Sequence, residues 1–222
     1  MNFKVGTLLA ASLLSLTACG GSAKGVSAAK FAEEASKITV AHYAKATVSF
    51  SWTEKVTGGA SLGGEDYDES GSGNAYLVGS FDAESGMEYW YYDDTKESDE
   101  EFEDLQYASI LSMYMMVDLA TLAPQFEASE AQLPEGVSIT YGTNPFKVTQ
   151  KQSQSEEKDG LKDSYSVELA VTWNNDGTVK ELKSKISETV TGTYEGNSVN
   201  AKMVYTETIT VSYSEPITDQ IA

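Results

Sequence analysis

Reactive and cationic side chains are scarce in this sequence: the 222 residues include one cysteine, one histidine and no arginine. A single cysteine cannot form a disulfide within the chain and is not by itself a zinc site. A lone histidine such as His42 more often packs or faces solvent than acts as a base. No G-x-S-x-G, G-x-G-x-x-G or P-loop motif occurs, and acidic residues are too numerous to single out a glycosidase pair. We therefore predict no enzymatic activity, no catalytic residue and no cofactor.

Positive charge is also in short supply. Lysine provides all 15 basic residues against 34 aspartates and glutamates, which gives a formal net charge of −19. Such a surface repels phosphate backbones, so we expect no nucleic-acid partner. The segment DYDESGSGN begins like an EF-hand loop with Asp66 and Asp68, but Leu77 stands where that loop needs its twelfth-position carboxylate. We interpret residues 58–74 as a solvated polar loop and predict no metal site.

The N-terminal apolar run, Val5 to Leu16, is too short to span a bilayer comfortably and follows a positive start at Lys4. This layout predicts a secretory signal peptide over residues 1–18. Its end, Leu16-Thr17-Ala18-Cys19, resembles the lipobox of bacterial lipoproteins. The resemblance implies that Cys19 receives a diacylglyceryl group and becomes the mature N-terminus after cleavage.

A lipid on Cys19 would determine where the protein works. Two acyl chains hold a protein stably at a membrane, whereas one chain does so only marginally. Residues 19–25 then form the lipidated cysteine and a flexible Gly/Ser tether. Together with Gly-Gly after the cysteine and the acidic composition, this resembles a Gram-positive surface lipoprotein. We expect a protein that is lipid-anchored to the cell membrane on its extracytoplasmic face.

The pattern of apolar residues predicts a single α+β domain over residues 26–222. Helical spacing starts at Val26, with Ser27 as the N-cap, and gives way to alternation in ATVSFSWTEKV from Ala46 onward. Residues 75–92 predict two strands around a turn at Glu84 to Gly86. Residues 99–123 predict the strongest helix, because acidic residues crowd its start and apolar residues cover most of its circumference.

From Gly136 onward the sequence predicts antiparallel strands throughout. Turn signals occur at Asn175-Asp176-Gly177 and Glu195-Gly196-Asn197. Apolar and polar residues alternate over about fifteen positions before Pro216, which is typical of a sheet with one wet face.

The order of elements, and the ending Tyr213-Ser214-Glu215-Pro216, resemble the lipoprotein-carrier superfamily that includes LolA and the mycobacterial lipoproteins LppX and LprG. The resemblance implies a large curved antiparallel β-sheet, a half-barrel, with helices packed on its concave face and acyl chains bound between them. The leading hypothesis is therefore binding or carriage of a lipid or another hydrophobic small molecule between helices and sheet. The alternative is a non-catalytic surface module that binds a protein or glycan.

Methionine and aromatic side chains are the candidate ligand-binding residues. Methionine adapts to irregular hydrocarbon shapes, which favours a pocket beside the predicted central helix. The alternative interpretation is that helix and sheet pack tightly and the same side chains fill the core between them. The candidates are Trp52, Trp90, Met113, Met116, Trp173 and Tyr205.

Overall fold

A computed structural model describes residues 25–99, 119 and 135–217 of the chain. The signal peptide, Cys19, the tether up to Lys24, and Met113 and Met116 lie outside the described residues. So does the helix predicted over 99–123, apart from Asp99, which is not helical, and Leu119, which is helical and fully buried.

The described chain folds around one open, eight-stranded antiparallel sheet with the strand order β3-β2-β1-β8-β7-β6-β5-β4. Its strands are β1 (Tyr43–Thr57), β2 (Tyr67–Asp82), β3 (Met87–Tyr92), β4 (Val137–Thr143), β5 (Phe146–Lys158), β6 (Leu161–Trp173), β7 (Val179–Tyr194) and β8 (Asn197–Pro216). The large antiparallel sheet is confirmed. Of the helices predicted on one face of the sheet, the described residues contain one complete α-helix, α1 (Ala28–Ala35).

Short connections hold the strands in register. The turns predicted at Asp176-Gly177 and Glu195-Gly196 are confirmed. Gly177 has φ 83°, and Glu195 and Gly196 have φ 50° and 82°. Two consecutive positive φ values are the geometry of a type I′ hairpin, whose twist matches that of the flanking strands.

Alternation gives the sheet two unlike faces. One face, which we call the apolar face, carries Val148, Val171, Leu182 and Ile209 side by side on neighbouring strands. Val48 lies on the same face, one row further along. The polar face carries serine and threonine. It also carries eight lysines: Lys45, Lys55, Lys147, Lys151, Lys162, Lys183, Lys185 and Lys202. The other two strand lysines are exceptions, because Lys158 lies at the end of β5 and Lys180 lies at the irregularity between β6 and β7.

Helix α1 packs on the apolar face over β4, β5 and β6. Ser27 caps it as predicted, since its side-chain oxygen accepts a hydrogen bond from the Lys30 backbone N–H at 3.2 Å. Phe31 is fully buried, and its ring lies 5.4 Å from Tyr141, 5.8 Å from Phe146 and 6.3 Å from Trp173. These contacts form an aromatic cluster between α1 and the sheet.

Two local predictions were wrong. The helical spacing of the sequence extends from Val26 to Tyr43, but the helix ends at Ala35. Strand β1 begins at Tyr43, three residues before the predicted start at Ala46. The predicted loop 58–74 is a 3-10 turn (Gly59–Leu62) followed by the first half of β2. Asp66 accepts a hydrogen bond from the Gly59 backbone N–H at 2.7 Å, and Asp68 pairs with Lys55 at 2.6 Å. The carboxylates of the EF-hand-like segment therefore close a turn and join two strands.

Candidate functional site

The structure separates the described candidate residues into three places on the apolar face. Trp52 and Tyr205 lie together on β1 and β8 in the middle of the sheet. Trp90 lies on the edge strand β3, and its ring meets Tyr213 edge-on at 6.1 Å. Trp173 lies under α1 and is 2% exposed, so its contacts are those of a core residue.

Trp52 and Tyr205 form a stacked aromatic pair with ring centroids 6.4 Å apart and planes 19° from parallel. Both rings are partly buried, so part of each remains accessible. Further along the same face, Tyr67 and Tyr165 are 40% and 38% exposed. The aromatic side chains of the apolar face thus become more exposed with distance from α1.

Glycines in β2 let aromatic rings lie flat across the backbone. The ring of Trp52 covers Gly71, where an added Cβ would meet the indole Nε1 at 2.5 Å. Phe50 covers Gly73 in the same way, and Trp90 covers Gly79. Aromatic rings that cover glycines on a neighbouring strand stabilise a strand that has no side chains of its own to pack. We call the rings of Phe50, Trp52 and Trp90 over these glycines the aromatic platform. The sequence analysis did not predict it, although Gly71 and Gly73 alternate in phase with Trp52 and Phe50.

Glu207 is the most unusual group on the apolar face. It is 4% exposed, lies directly opposite both Trp52 and Ser184, and follows Tyr205 two positions later on the same face. Its carboxyl makes no hydrogen bond or ion pair with any residue that the structure describes. Burial alone raises the pKa of Glu207 above its ordinary value. We call Trp52, Ser184, Tyr205 and Glu207 the Glu207 cluster. Sequence reasoning missed Glu207, although a glutamate in the apolar phase of β8 breaks the alternation.

Other carboxyl groups stand on the apolar face beyond the Glu207 cluster. Glu54, one row further along, accepts a hydrogen bond from the Tyr67 hydroxyl at 2.7 Å, which raises the pKa of Tyr67 to about 12. Burial first, and the charge of Asp163 second, raise the pKa of Glu188. Since the strand lysines near this region lie on the polar face, the region is both aromatic and acidic.

His42 packs rather than standing free. Its ring stacks on Phe81 with centroids 3.7 Å apart and planes 15° from parallel, and Nδ1 lies 2.5 Å from a Glu88 carboxyl oxygen. The other Glu88 oxygen accepts a 3.3 Å hydrogen bond from the Trp90 indole. His42 therefore ties the start of β1 to the sheet edge at β3.

In the ranges that the structure describes, no group of three or more histidine, cysteine, aspartate or glutamate residues has the geometry to hold a metal ion. None of the helices among those residues is long and apolar enough to cross a bilayer. No protein-family model matches the chain, and no curated protein shows significant sequence similarity to it.

Proposed function

We propose that this chain is a lipid-anchored extracytoplasmic lipoprotein whose apolar sheet face binds a hydrophobic ligand such as a lipid or acyl chain. The observation that supports the ligand proposal is the stacked, partly exposed Trp52–Tyr205 pair. An aromatic pair that keeps accessible surface in the middle of an apolar face offers contact area to a ligand.

The position of α1 supports this reading. Its central side chain, Phe31, contacts rings of β4, β5 and β6, whereas Trp52 and Tyr205 belong to β1 and β8. The helix therefore completes the core at one side of the sheet and leaves the aromatic pair outside its contacts.

The polar face is a poor candidate for the same role. Several of its lysines form exposed pairs with acidic neighbours, such as Lys55 with Asp68 at 2.6 Å and Lys183 with Glu181 at 2.7 Å. Exposed ion pairs of this kind keep a surface hydrated and contribute little to affinity for apolar molecules.

Ligand binding is tested by extracting purified protein with organic solvent and identifying co-purified lipid by mass spectrometry. We expect Trp52→Ala to reduce the recovered lipid by about tenfold, since a well-buried aromatic contact is worth on the order of 1–2 kcal/mol. Tyr91→Ala is the matched control, because Tyr91 is 62% exposed and lies on the other face of β3. Absence of lipid from wild-type protein, with no uptake of a fluorescent fatty acid, would overturn the proposal in favour of a protein- or glycan-binding module.

The anchor is tested by metabolic labelling with an alkyne fatty acid. The wild-type protein should be labelled and Cys19→Ser should not. Equal labelling of both would show that Cys19 is not the attachment point.

A further inference from the structure

The half of the apolar face away from α1 carries two exposed tyrosines. Tyr67 on β2 is 40% exposed and Tyr165 on β6 is 38% exposed. The strand register places both in one cross-strand row, which we call the distal row: Tyr67, Val56, Met203, Glu188 and Tyr165. Neighbouring strands lie about 4.8 Å apart, so the distal row extends about 19 Å from one tyrosine to the other.

Carboxyl groups lie on both sides of the distal row. Glu54 and Glu69 are directly opposite each other on β1 and β2, in the adjacent row towards α1. Glu156 and Asp163 are directly opposite each other on β5 and β6, in the adjacent row on the other side. Like charges that face each other across an antiparallel pair are destabilising. The distal row therefore lies between two pairs of carboxylates that repel each other.

The carboxyl groups of the two faces differ in their partners. On the polar face, lysines lie within 4.0 Å of Asp68, Glu168 and Glu181. On the apolar face, no described lysine forms an ion pair with any of five carboxyl groups: Glu54, Glu69, Glu156, Asp163 and Glu188. Lys158, at the end of β5, is two positions from Glu156 and pairs with none of them. The region around the distal row is therefore exposed negative charge without compensation.

Glu207 is a second sign that positive charge is missing here. It is 4% exposed, lies diagonally across from Glu54 on the same face, and has no hydrogen bond or ion pair with the described residues. A buried carboxylate without a counter-ion is costly, and positive charge bound nearby lowers that cost. Unfavourable arrangements that a fold retains are typical of functional sites.

The tyrosines and carboxyl groups together favour a partner with both cationic and apolar side chains. The faces of tyrosine rings attract ammonium and guanidinium groups, and a carboxylate beside the ring adds a charge-assisted hydrogen bond. The Tyr67 hydroxyl donates to Glu54 at 2.7 Å, and Tyr165 lies directly opposite Glu188. Between them, Val56 and Met203 are partly buried and offer apolar contact. Tyrosine and methionine are enriched at protein–protein interfaces.

We propose that the distal row is a docking surface for a segment of a partner protein that alternates lysine or arginine with apolar side chains. The cations of that segment lie at Tyr67 and Tyr165, and its apolar side chains contact Val56 and Met203. An extended segment of about six residues covers the row. This interaction goes beyond the proposed binding of a hydrophobic ligand and does not depend on it.

The experiment uses three fluorescent eight-residue peptides, in which lysine alternates with valine, glutamate with valine, or lysine with serine. Full-length protein in phosphatidylcholine nanodiscs is titrated into each peptide and binding is followed by fluorescence anisotropy, with protein-free nanodiscs as the blank. We expect the lysine–valine peptide to bind about tenfold more tightly than either of the others. Its affinity should fall about tenfold between about 50 and about 500 mM NaCl, because salt screens exposed charges.

Two double variants locate the negative charge that matters. Glu69→Gln with Asp163→Asn removes one carboxylate from each repelling pair, and should reduce the affinity for the lysine–valine peptide about fivefold without lowering the melting temperature. The matched control, Glu168→Gln with Glu181→Gln, removes the same charge from the polar face and should change that affinity by less than about twofold.

A pair of single variants tests the aromatic contact. Tyr165→Ala should reduce the affinity for the lysine–valine peptide about fivefold. Tyr91→Ala is the matched control, since Tyr91 is 62% exposed but lies on the polar face of β3. Equal affinities of these two variants would show that Tyr165 does not contact the partner and would overturn the docking geometry.

The remaining results also decide the question. An equal loss of affinity in the two double variants would overturn the inference, because binding would then follow net charge alone. Equal binding of the lysine–valine and lysine–serine peptides would overturn it as well, because the apolar centre of the distal row would take no part. Failure of all three peptides to bind would contradict the docking surface itself. None of these outcomes changes the recovery of co-purified lipid, so the proposed function is tested separately.

Discussion

Replacing Gly71 with alanine should dislodge the ring of Trp52 without changing any charge. The added Cβ would lie 2.5 Å from the indole Nε1, 2.8 Å from Cε2 and 3.1 Å from Cζ2, and Trp52 contributes all three contacts. The first two distances are below what a real Cβ tolerates, so the ring has to swing away from β2. Overpacking costs about 1–3 kcal/mol. Because Trp52 is partly exposed and can move outward, we expect a loss of about 1 kcal/mol, or a melting temperature lower by about 2–4 °C.

Urea unfolding followed by circular dichroism measures this loss, and tryptophan fluorescence reports the displaced indole. The matched control is Gly142→Ala, also in a strand, where the nearest atoms to an added Cβ are 3.6 Å away and no strain arises. An alanine with such room should be neutral or stabilising by about 0.4–1 kcal/mol. If Gly71→Ala unfolds at the same urea concentration as Gly142→Ala, the ring does not lie against the β2 backbone and the aromatic platform is refuted.

Three further substitutions test other parts of the structure. Burial raises the pKa of Glu207, so this carboxyl group stays protonated to higher pH in the folded protein than in the unfolded chain. The free energy of unfolding therefore falls as the pH rises from about 4.3, the ordinary pKa of glutamate, through the raised pKa of Glu207. Glu207→Gln should therefore stabilise the protein more at pH 7 than at pH 4 in urea titrations, and an equal effect at both would contradict the burial argument. Phe31→Ala should cost about 3–5 kcal/mol by emptying a fully buried site among three rings, and a loss under about 1 kcal/mol in calorimetry would show that α1 does not complete the core. Ser27→Ala should cost about 1 kcal/mol by removing the N-cap hydrogen bond, whereas Ser36→Ala, at the other end of α1, should cost less.

Local signals account for the parts of the fold that the sequence predicts well. Asp176-Gly177 and Glu195-Gly196 specify tight turns because glycine readily adopts positive φ, and alternation around them specifies the strands of the last half of the chain. Ser27 marks the helix start because a side-chain cap involves only neighbouring residues.

The parts that were missed depend on partners distant in sequence. The first half of β2 has glycine and acidic residues where a strand normally has apolar ones, and rings from β1 supply the missing surface. Of the predicted ligand-binding residues, Trp52 and Tyr205 come together only because β1 pairs with β8, while Trp173 is placed under α1 by the packing of Phe31. Alternation assigns a side chain to a face, but it does not determine which part of that face a helix covers.

The pairing of β1 with β8 also has a consequence for how the protein folds. Strands β1–β3 and β4–β8 each join neighbours in the chain, so two partial sheets can form from local contacts. Only the β1–β8 ladder joins them, and there Thr210 bonds to the backbone of Ser49, 161 positions earlier. Contacts between residues so far apart in sequence slow folding, because the entropy of loop closure is lost before the contact is gained. The central strand pair can therefore form only after β8 has been synthesised, and the Glu207 cluster does not exist before that step.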